Sequence, residues 1–358
     1  VPAVAGLDIP TFRQFAALKN RSLRIAVADG RCFAGNAALF GASDIRIATR
    51  EATIGMGGPV IIKGGGLGSF RAEEVGPAEM HHRTGVVDIL TDNDSEAVAV
   101  AQKCLSYFQG PLPAGHIQDQ RILRHLVPEN RKRTYDIHRL IQLLCDNDSF
   151  LELKGAYGKS IITGLIRIAG RPMGLMASNP NFLAGAIDAD AADKASSFLR
   201  LCDSGKLPVL SLCDTPGFMV GPDAESRGLV RWAPELFSAG AEISVPMFTV
   251  ILRRGYGLGA MAMAGGSFHA PVFTISWPTG EFGAMGLEGE VKIGFQKELA
   301  EIRDWDERHK RYEELLAEAL ERGKAINMAS YLEIDGVIDP AETRTWIQRG
   351  LESLGGEF

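Results

Sequence analysis

Two stretches of this 358-residue chain carry one pattern. Set "FTVILRRGYGLGAMAMAGGSFHAPVFTIS" beneath "LRIAVADGRCFAGNAALFGASDIRIAT", matching Gly259 to Gly35 and Ser267 to Ser43. Both read strand, small-residue turn, short apolar helix, Gly-x-Ser, strand. Each continues into a glycine–methionine turn, "TIGMGGP" in the first copy and "GEFGAMGLEG" in the second. An internal repeat restricts a fold more than either copy could alone, because the same supersecondary unit must be built twice.

The turns themselves ask for an explanation. Tight helix–sheet packing is the plainer reading, but packing asks for one glycine rather than a run. A glycine-rich turn leading into a helix exposes backbone N–H groups at the positive end of the helix dipole. With no bulky side chain in the way, two such donors can converge on a developing oxyanion. Preorganised donors of this kind are worth about 3–4 kcal/mol each in a transition state. Two copies imply two oxyanions, hence a reaction in which two carbonyls carry negative charge.

The rest of the chain bounds the possibilities. Strands ("SIITGLIRIAG", "PMGLMAS", "LPVLSLCDTPG", "PMFTVILRR", "PVFTISW") alternate with helices ("DADAADKASSFLRLCD", "GLVRWAPELFSAGAE"), which predicts an α/β fold with helices crossing over the sheet. "DNDSEAVAVAQKCL" reads as a helix capped by Asp94 or Ser95. Gly110–Arg133, Pro-containing and basic near its end, reads as a connection between a first lobe (1–133) and a second (134–358). From Glu288 to Lys324 the pattern is amphipathic, helical and charged, as a solvated face is. A net charge of −6 leaves no basic footprint for nucleic acid. No apolar run reaches membrane length. Five scattered cysteines without a CxxC suggest reduced thiols in a cytosolic setting and no zinc ribbon. The start has no charged n-region and no initiator Met, as in a fragment or one domain of a longer polypeptide.

Three decoys fall away. Gly255–Ala260 matches a loose GxGxxA dinucleotide fingerprint, but the next strand, "VFTISW", runs into Pro278 without the required acid. "GAYGKS" has Leu153 where a phosphate loop needs its leading glycine. His81 and His82 are adjacent, point apart on a strand and fail helical ligand spacing, so no metal is expected.

Four motifs in order, "GRCFAGNAALFGASDIRIATREATIGMGGP", "CDTPGFMVG", "RRGYGLGAMAMAGG" and "WPTGEFGAMGLEG", resemble the carboxyltransferase component of biotin-dependent acyl-CoA carboxylases. The long single-chain acyl-CoA carboxylases are the nearest in flavour. The resemblance implies two crotonase-like ββα-spiral lobes, the first truncated at its front by on the order of a hundred residues, and then a helical C-terminal region. It implies that the first lobe binds the acyl-CoA and holds its thioester enolate. The second lobe, from another subunit, would bind biotin and hold its ureido oxygen.

The first oxyanion pair then falls on Gly35 and Asn36, where Gly-Gly is usual, and the second on Leu258 and Gly259, within a margin of Gly257–Ala260. Biotin contacts fall on Thr215, Pro216, Gly217, Phe218 and Gly257, and acyl-CoA contacts on Ala34, Gly57, Gly58 and Met261, the last where the family varies with acyl group. The implied chemistry needs no protein acid or base: carboxybiotin yields CO2 and a biotin anion, whose nitrogen takes the α-proton, and the enolate attacks CO2. The implied partners are biotin carboxylase, a biotin carboxyl carrier and further copies of the chain, as a dimer within a hexamer, in the cytoplasm. Two rivals remain. A hydratase or isomerase would use one oxyanion site plus Glu281 or Glu288, and a biotin-linked decarboxylase would run the same chemistry backwards.

Overall fold

The computed structural model describes residues 8–355. It is a mixed α/β protein with a helical C-terminal region, as the alternation of patterns predicts. The described residues divide into two compact units. The first runs to Gln109 and takes in Glu152–Tyr157 and Ser204–Lys206; the second holds the remainder from Gly110.

The first unit contains β1 (Ile25–Ala28), β2 (Arg31–Phe33), β3 (Ile45–Thr49), β4 (Thr53–Gly55) and β5 (Ile89–Thr91). β1, β3 and β5 form a parallel sheet in the order β1-β3-β5, and β2 pairs with β4 in parallel. Between β2 and β3 lies the short helix Gly35–Gly41, whose Phe40 packs in the core with Ala28, Ala48, Ile54 and Val87. The helix Asp94–Ser106 is capped by Asn93, one residue before the expected Asp94, because its side-chain oxygen accepts from Glu96 N at 2.9 Å. His81 and His82 lie on the helix Ala78–Arg83, not on a strand. His81 Nε2 sits 2.8 Å from the Ile54 carbonyl, and no cluster of potential metal ligands occurs among the described residues.

β6 (Leu151–Leu153) lies where the chain passes from the second unit to the first. The second unit is built on β7 (Ile161–Ile168), β8 (Arg171–Ser178), β9 (Val209–Thr215), β10 (Met247–Tyr256), β11 (Phe273–Ser276), β12 (Glu281–Gly283) and β13 (Gly336–Val337). They run β13-β11-β10-β9-β8-β7, with β12 beside the far end of β10. All pairs but β7/β8 are parallel. β7 and β9 are buried at every residue, as strands covered on both faces must be. The segment 110–133, read from sequence as a connection, is part of this unit: Leu123 and Val127 are buried in its main core beside Ile137, Leu140 and Ile166. The charged region after Glu288 is three helices, Leu287–Gly294, Gln296–Glu301 and Trp305–Arg322, packed on Tyr256 through Leu287, Val291, Leu315 and Ala319. No helix among the described residues is long and apolar enough to cross a membrane.

Candidate functional site

The repeat is structural. In the first unit β1 pairs with β3 and β2 with β4, the helix Gly35–Gly41 lying between. In the second, the first half of β10 pairs with β11 and its end with β12, with the helix Gly257–Met263 between. The equivalence is sharper than the sequence alignment. Phe33 pairs with Gly55 and Tyr256 with Gly283; the residue after each, Ala34 or Gly257, takes positive φ, 52° and 55°. Gly35 therefore corresponds to Leu258 and Asn36 to Gly259, one residue away from the match of Gly259 to Gly35. The sequence alignment favoured glycine on glycine, whereas the backbone equates alanine with glycine at the positive-φ step. Ala34 has a side chain in a conformation that glycine takes at far lower cost, the kind of local strain that recurs at functional sites.

This step turns the chain abruptly from strand into helix. The first-turn N–H groups of a helix have no intrahelical acceptor. No bond from the N–H of Gly35, Asn36, Leu258 or Gly259 occurs among the described residues. Leu258 is 61% exposed, whereas Gly259 is buried. Gly259 explains the scarcity of side chains at this junction: a Cβ there would lie 2.6 Å from Gly217 Cα and 3.1 Å from Phe218 N. Its neighbour Gly257 is held for a second reason, since a Cβ would come within 2.5 Å of the Ala284 carbonyl oxygen.

The turn that Gly259 touches is pinned from behind. The Thr215 hydroxyl donates to the Gly185 carbonyl at 2.8 Å and accepts from Gly217 N at 3.1 Å. Ile187 N donates to the Gly217 carbonyl, and Met219 N to that of Ile187, at 3.0 and 2.8 Å. Phe218 leans on Phe237, ring centroids 6.1 Å apart. Thr215 is thus a buried brace for the turn, while Pro216, Gly217 and Phe218 form it.

Asp214, just before this turn, is fully buried and collects five donors. They are Tyr135 Oη (3.0 Å), Arg253 Nε and Nη2 (3.2 and 2.9 Å), Arg254 Nε (2.7 Å) and Arg254 N (3.1 Å). Burial alone would raise the Asp214 carboxyl pKa; Arg254 and Arg253 outweigh it and leave it below the ordinary carboxylate value. The cluster fills a bulge. β10 pairs Ile251 with Cys213 and next Gly255 with Thr215, so extra residues of β10 arch over Asp214. That bulge sets where the helix Gly257–Met263 begins relative to the turn at Pro216–Phe218.

A second network lies on the other flank. Arg131 donates to Glu281 (2.5 Å), Glu288 (3.0 Å) and the Tyr256 hydroxyl (3.3 Å), which in turn donates to Glu281 at 2.8 Å. Both glutamates that could serve a hydratase as its base are committed to one guanidinium. Sequence reasoning missed both networks. For the Asp214 cluster the signal was present: "LCD" and "LRR" lie at or near the ends of apolar strand runs, and a charge at the end of a buried run must find a partner.

Each unit carries a cavity of about 430 Å³ near its helix N-terminus. The first unit's is lined by Asn36, Leu39, Phe40, Cys32, the β1 residues Ile25–Ala28 and Asp29. The second's is lined by Gly257 and Met261 with apolar groups from the C-terminal helices. Gly35, Leu258, Gly259 and the Thr215–Phe218 turn line neither. Gly57 and Gly58 pack instead at the start of the helix Pro59–Gly64, a Cβ on Gly58 falling 3.3 Å from the Phe33 ring.

The carboxyl transferase domain family matches residues 10–354. The chain is 31% identical to the methylmalonyl-CoA carboxyltransferase 12S subunit of Propionibacterium freudenreichii, over 92% of this chain and 64% of that protein. It is 34% identical to the propionyl-CoA carboxylase beta chain of Roseobacter denitrificans, over 83% and 59%. Among solved structures, a single-chain, multi-domain long-chain acyl-CoA carboxylase superposes with a TM-score of 0.91 at 52% identity, covering 97% of this chain and 34% of that one. The transcarboxylase 12S hexamer core, solved with methylmalonyl-CoA, gives 0.86 at 30% identity, over 96% and 67%. The chain spans 56% to 64% of the first three curated relatives it matches.

Proposed function

The chain belongs to the carboxyl transferase domain family, and from that premise we propose that it moves a carboxyl group from carboxybiotin to the α-carbon of an acyl-CoA. The observation that carries this reading is the duplicated strand-to-helix step. Ala34 and Gly257 share a positive φ, 52° and 55°, and each is followed by two N–H groups without an acceptor among the described residues. One oxyanion site would serve a hydratase; two serve a reaction with a carbonyl on each partner.

In this reading Gly35 N and Asn36 N hold the thioester oxygen as it becomes an enolate. Carboxybiotin supplies the activated carboxyl group. Leu258 N and Gly259 N are the donors for its ureido oxygen, and the Pro216–Phe218 turn forms the adjoining wall. The fit is steric as well as polar. The Gly259–Gly217 contact keeps that wall free of side chains, and a flat bicyclic ring needs such a wall. Asp214 and its two arginines position the wall without touching the reactants. Ala34, Gly57, Gly58 and Met261 are assigned to the acyl-CoA side. The first unit is assigned to acyl-CoA and the second, which includes 110–133, to biotin, working across a two-fold contact between copies in a cytoplasmic hexamer. Biotin carboxylase and the carrier are the outside partners. Acyl-CoA as substrate follows the activities named for the relatives, and biotin as carrier rests on the motif resemblance.

Nothing here requires a general base. The commitment of Glu281 and Glu288 to Arg131 weakens the hydratase alternative, whose base must be free to take a proton. The test uses full-length protein, a biotin carboxylase and carrier, labelled bicarbonate, ATP and acyl-CoA, with mass spectrometry of the thioesters. Label in a 2-carboxyacyl-CoA supports the reading. Hydrated or isomerised thioester without label, or decarboxylation alone, overturns it.

A further inference from the structure

Arg131 reaches acceptors on three separate elements of the second unit. Its Nε donates to Glu281, the first residue of β12, at 2.5 Å. Nη1 donates at 3.0 Å to Glu288, in the first turn of the helix Leu287–Gly294, and Nη2 at 3.3 Å to the hydroxyl of Tyr256, the last residue of β10. The Tyr256 hydroxyl closes the ring by donating to the other Glu281 oxygen at 2.8 Å. Burial, with the Glu281 charge adding to it, pushes the pKa of that hydroxyl up, so it stays a donor. Arg131 is itself anchored. Arg253, whose Nε and Nη2 hold Asp214, gives its Nη1 to the Arg133 carbonyl at 2.7 Å.

What the guanidinium clamps bears on the donor-side helix. Glu281 and Glu288 bracket the turn 284–286, and Ala284 presses its carbonyl on Gly257 so closely that a Cβ there would lie 2.5 Å from the oxygen. Tyr256 pairs with Gly283 and stands at the N-cap of the helix Gly257–Met263, directly before the positive-φ step. One side chain thus holds the residue before that step and both ends of the turn that the step abuts. We propose that Arg131 is a positioning residue for carboxyl transfer: by clamping Tyr256, Glu281 and Glu288 it fixes the Gly257 step, and with it the direction of Leu258 N and Gly259 N. This rests on the two-site reading above and adds to it a residue that touches neither reactant. The role calls for arginine, because a planar fork of donors serves three acceptors at once and a lysine ammonium on its flexible stem does not hold that geometry.

The test uses the full-length enzyme with its carboxybiotin supply and acyl-CoA, as native protein, Arg131→Ala and Arg131→Lys. Without the clamp the turn and the helix start drift apart, and a displacement of about an ångström costs about a hundredfold in rate. Arg131→Ala should lose about that much in kcat, while acyl-CoA affinity by calorimetry stays nearly unchanged. Should Arg131→Ala fail to fold with Glu281 left unpaired, Arg131→Lys still decides: it keeps a cation beside Glu281, and its kcat should fall about tenfold. Coupling to the donor separates positioning from bulk stability. An ester in place of the Leu258 amide should cost about 10²–10³ in the native background, and about tenfold less in Arg131→Lys, whose donor is already off line. Losses that simply multiply, native kcat in folded Arg131→Lys, or acyl-CoA affinity falling in step with kcat overturn the clamp and leave carboxyl transfer standing. Absence of carboxylated product from the native enzyme overturns the two-site reading itself.

Discussion

Gly259→Val is the perturbation that the structure makes most quantitative. A Cβ at Gly259 would stand 2.6 Å from Gly217 Cα and 2.7 Å from its carbonyl carbon, where ordinary contact begins at 3.4 Å. Backbone faces backbone, so neither side can yield by turning a side chain. The turn cannot swing freely, because Thr215 and Ile187 hold it from behind. Helix start and turn must therefore part by most of an ångström. Misplacement of about that size costs roughly a hundredfold in rate, comparable with loss of one oxyanion donor, about 10²–10³. Overpacking adds about 1–3 kcal/mol of lost stability. The assay compares turnover in carboxyl transfer with acyl-CoA affinity, by calorimetry, in the same folded variant. The expected result is turnover down at least a hundredfold with acyl-CoA affinity nearly unchanged. Near-native turnover would refute the assignment of Leu258 and Gly259, and parallel losses of affinity and turnover would make the contact purely structural.

Three further outcomes follow from the same contacts. Asp214→Asn leaves Arg253 and Arg254 buried with weakened acceptors, and should cost about 3–5 kcal/mol in urea unfolding. Because the native Asp214 carboxyl is held below its unfolded value, its contribution is present above about pH 4 and lost as the pH falls through the lower native value. An Asp214→Asn stability curve that stays parallel to the native one across that acid window would contradict this. Glu281→Gln should keep turnover within about tenfold, since a general base would cost about 10²–10⁴; a loss in that larger range would restore the hydratase-like role. Among the five cysteines, burial pushes the Cys104 thiol up to about 12, with Asp88 adding to the effect, and raises Cys145, Cys202 and Cys213 too. Half-buried Cys32 should thus be the only thiol to react with a thiol reagent at neutral pH in the folded protein, and the other four should appear only on unfolding.

The repeat was legible because its signal is local: glycine and alanine at a strand-to-helix step, twice, in the same order. The strands were legible for a related reason, since β7 and β9 are buried on both faces and read as unbroken apolar runs. The exact equivalence was not legible. It depends on backbone dihedrals, and Ala34 takes a conformation that its side chain argues against. The place of 110–133 was hidden too, because Leu123 and Val127 are isolated apolar residues in a polar, Pro-containing stretch, and only tertiary packing buries them. The ion clusters around Asp214 and Arg131 join residues 79 and 150 positions apart, as between Tyr135 and Asp214 or Arg131 and Glu281. No sequence window spans such distances. The unpaired charges at the strand ends announced that partners existed without saying which.

Backbone N–H groups are the proposed catalytic donors, so the most direct measurement removes one and changes little else. Replacing the amide at Leu258 by an ester, through incorporation of the α-hydroxy analogue of leucine, deletes that N–H and keeps the side chain. Leu258 N has no acceptor among the described residues, so the ester breaks no bond of its own. Its effect on the fold is limited to a weaker Gly257 carbonyl, which thermal unfolding will register. The expected result is a folded enzyme with turnover down about 10²–10³-fold and acyl-CoA affinity preserved. Turnover within a few-fold of native in that folded ester variant would contradict the claim that this helix N-terminus stabilises an oxyanion.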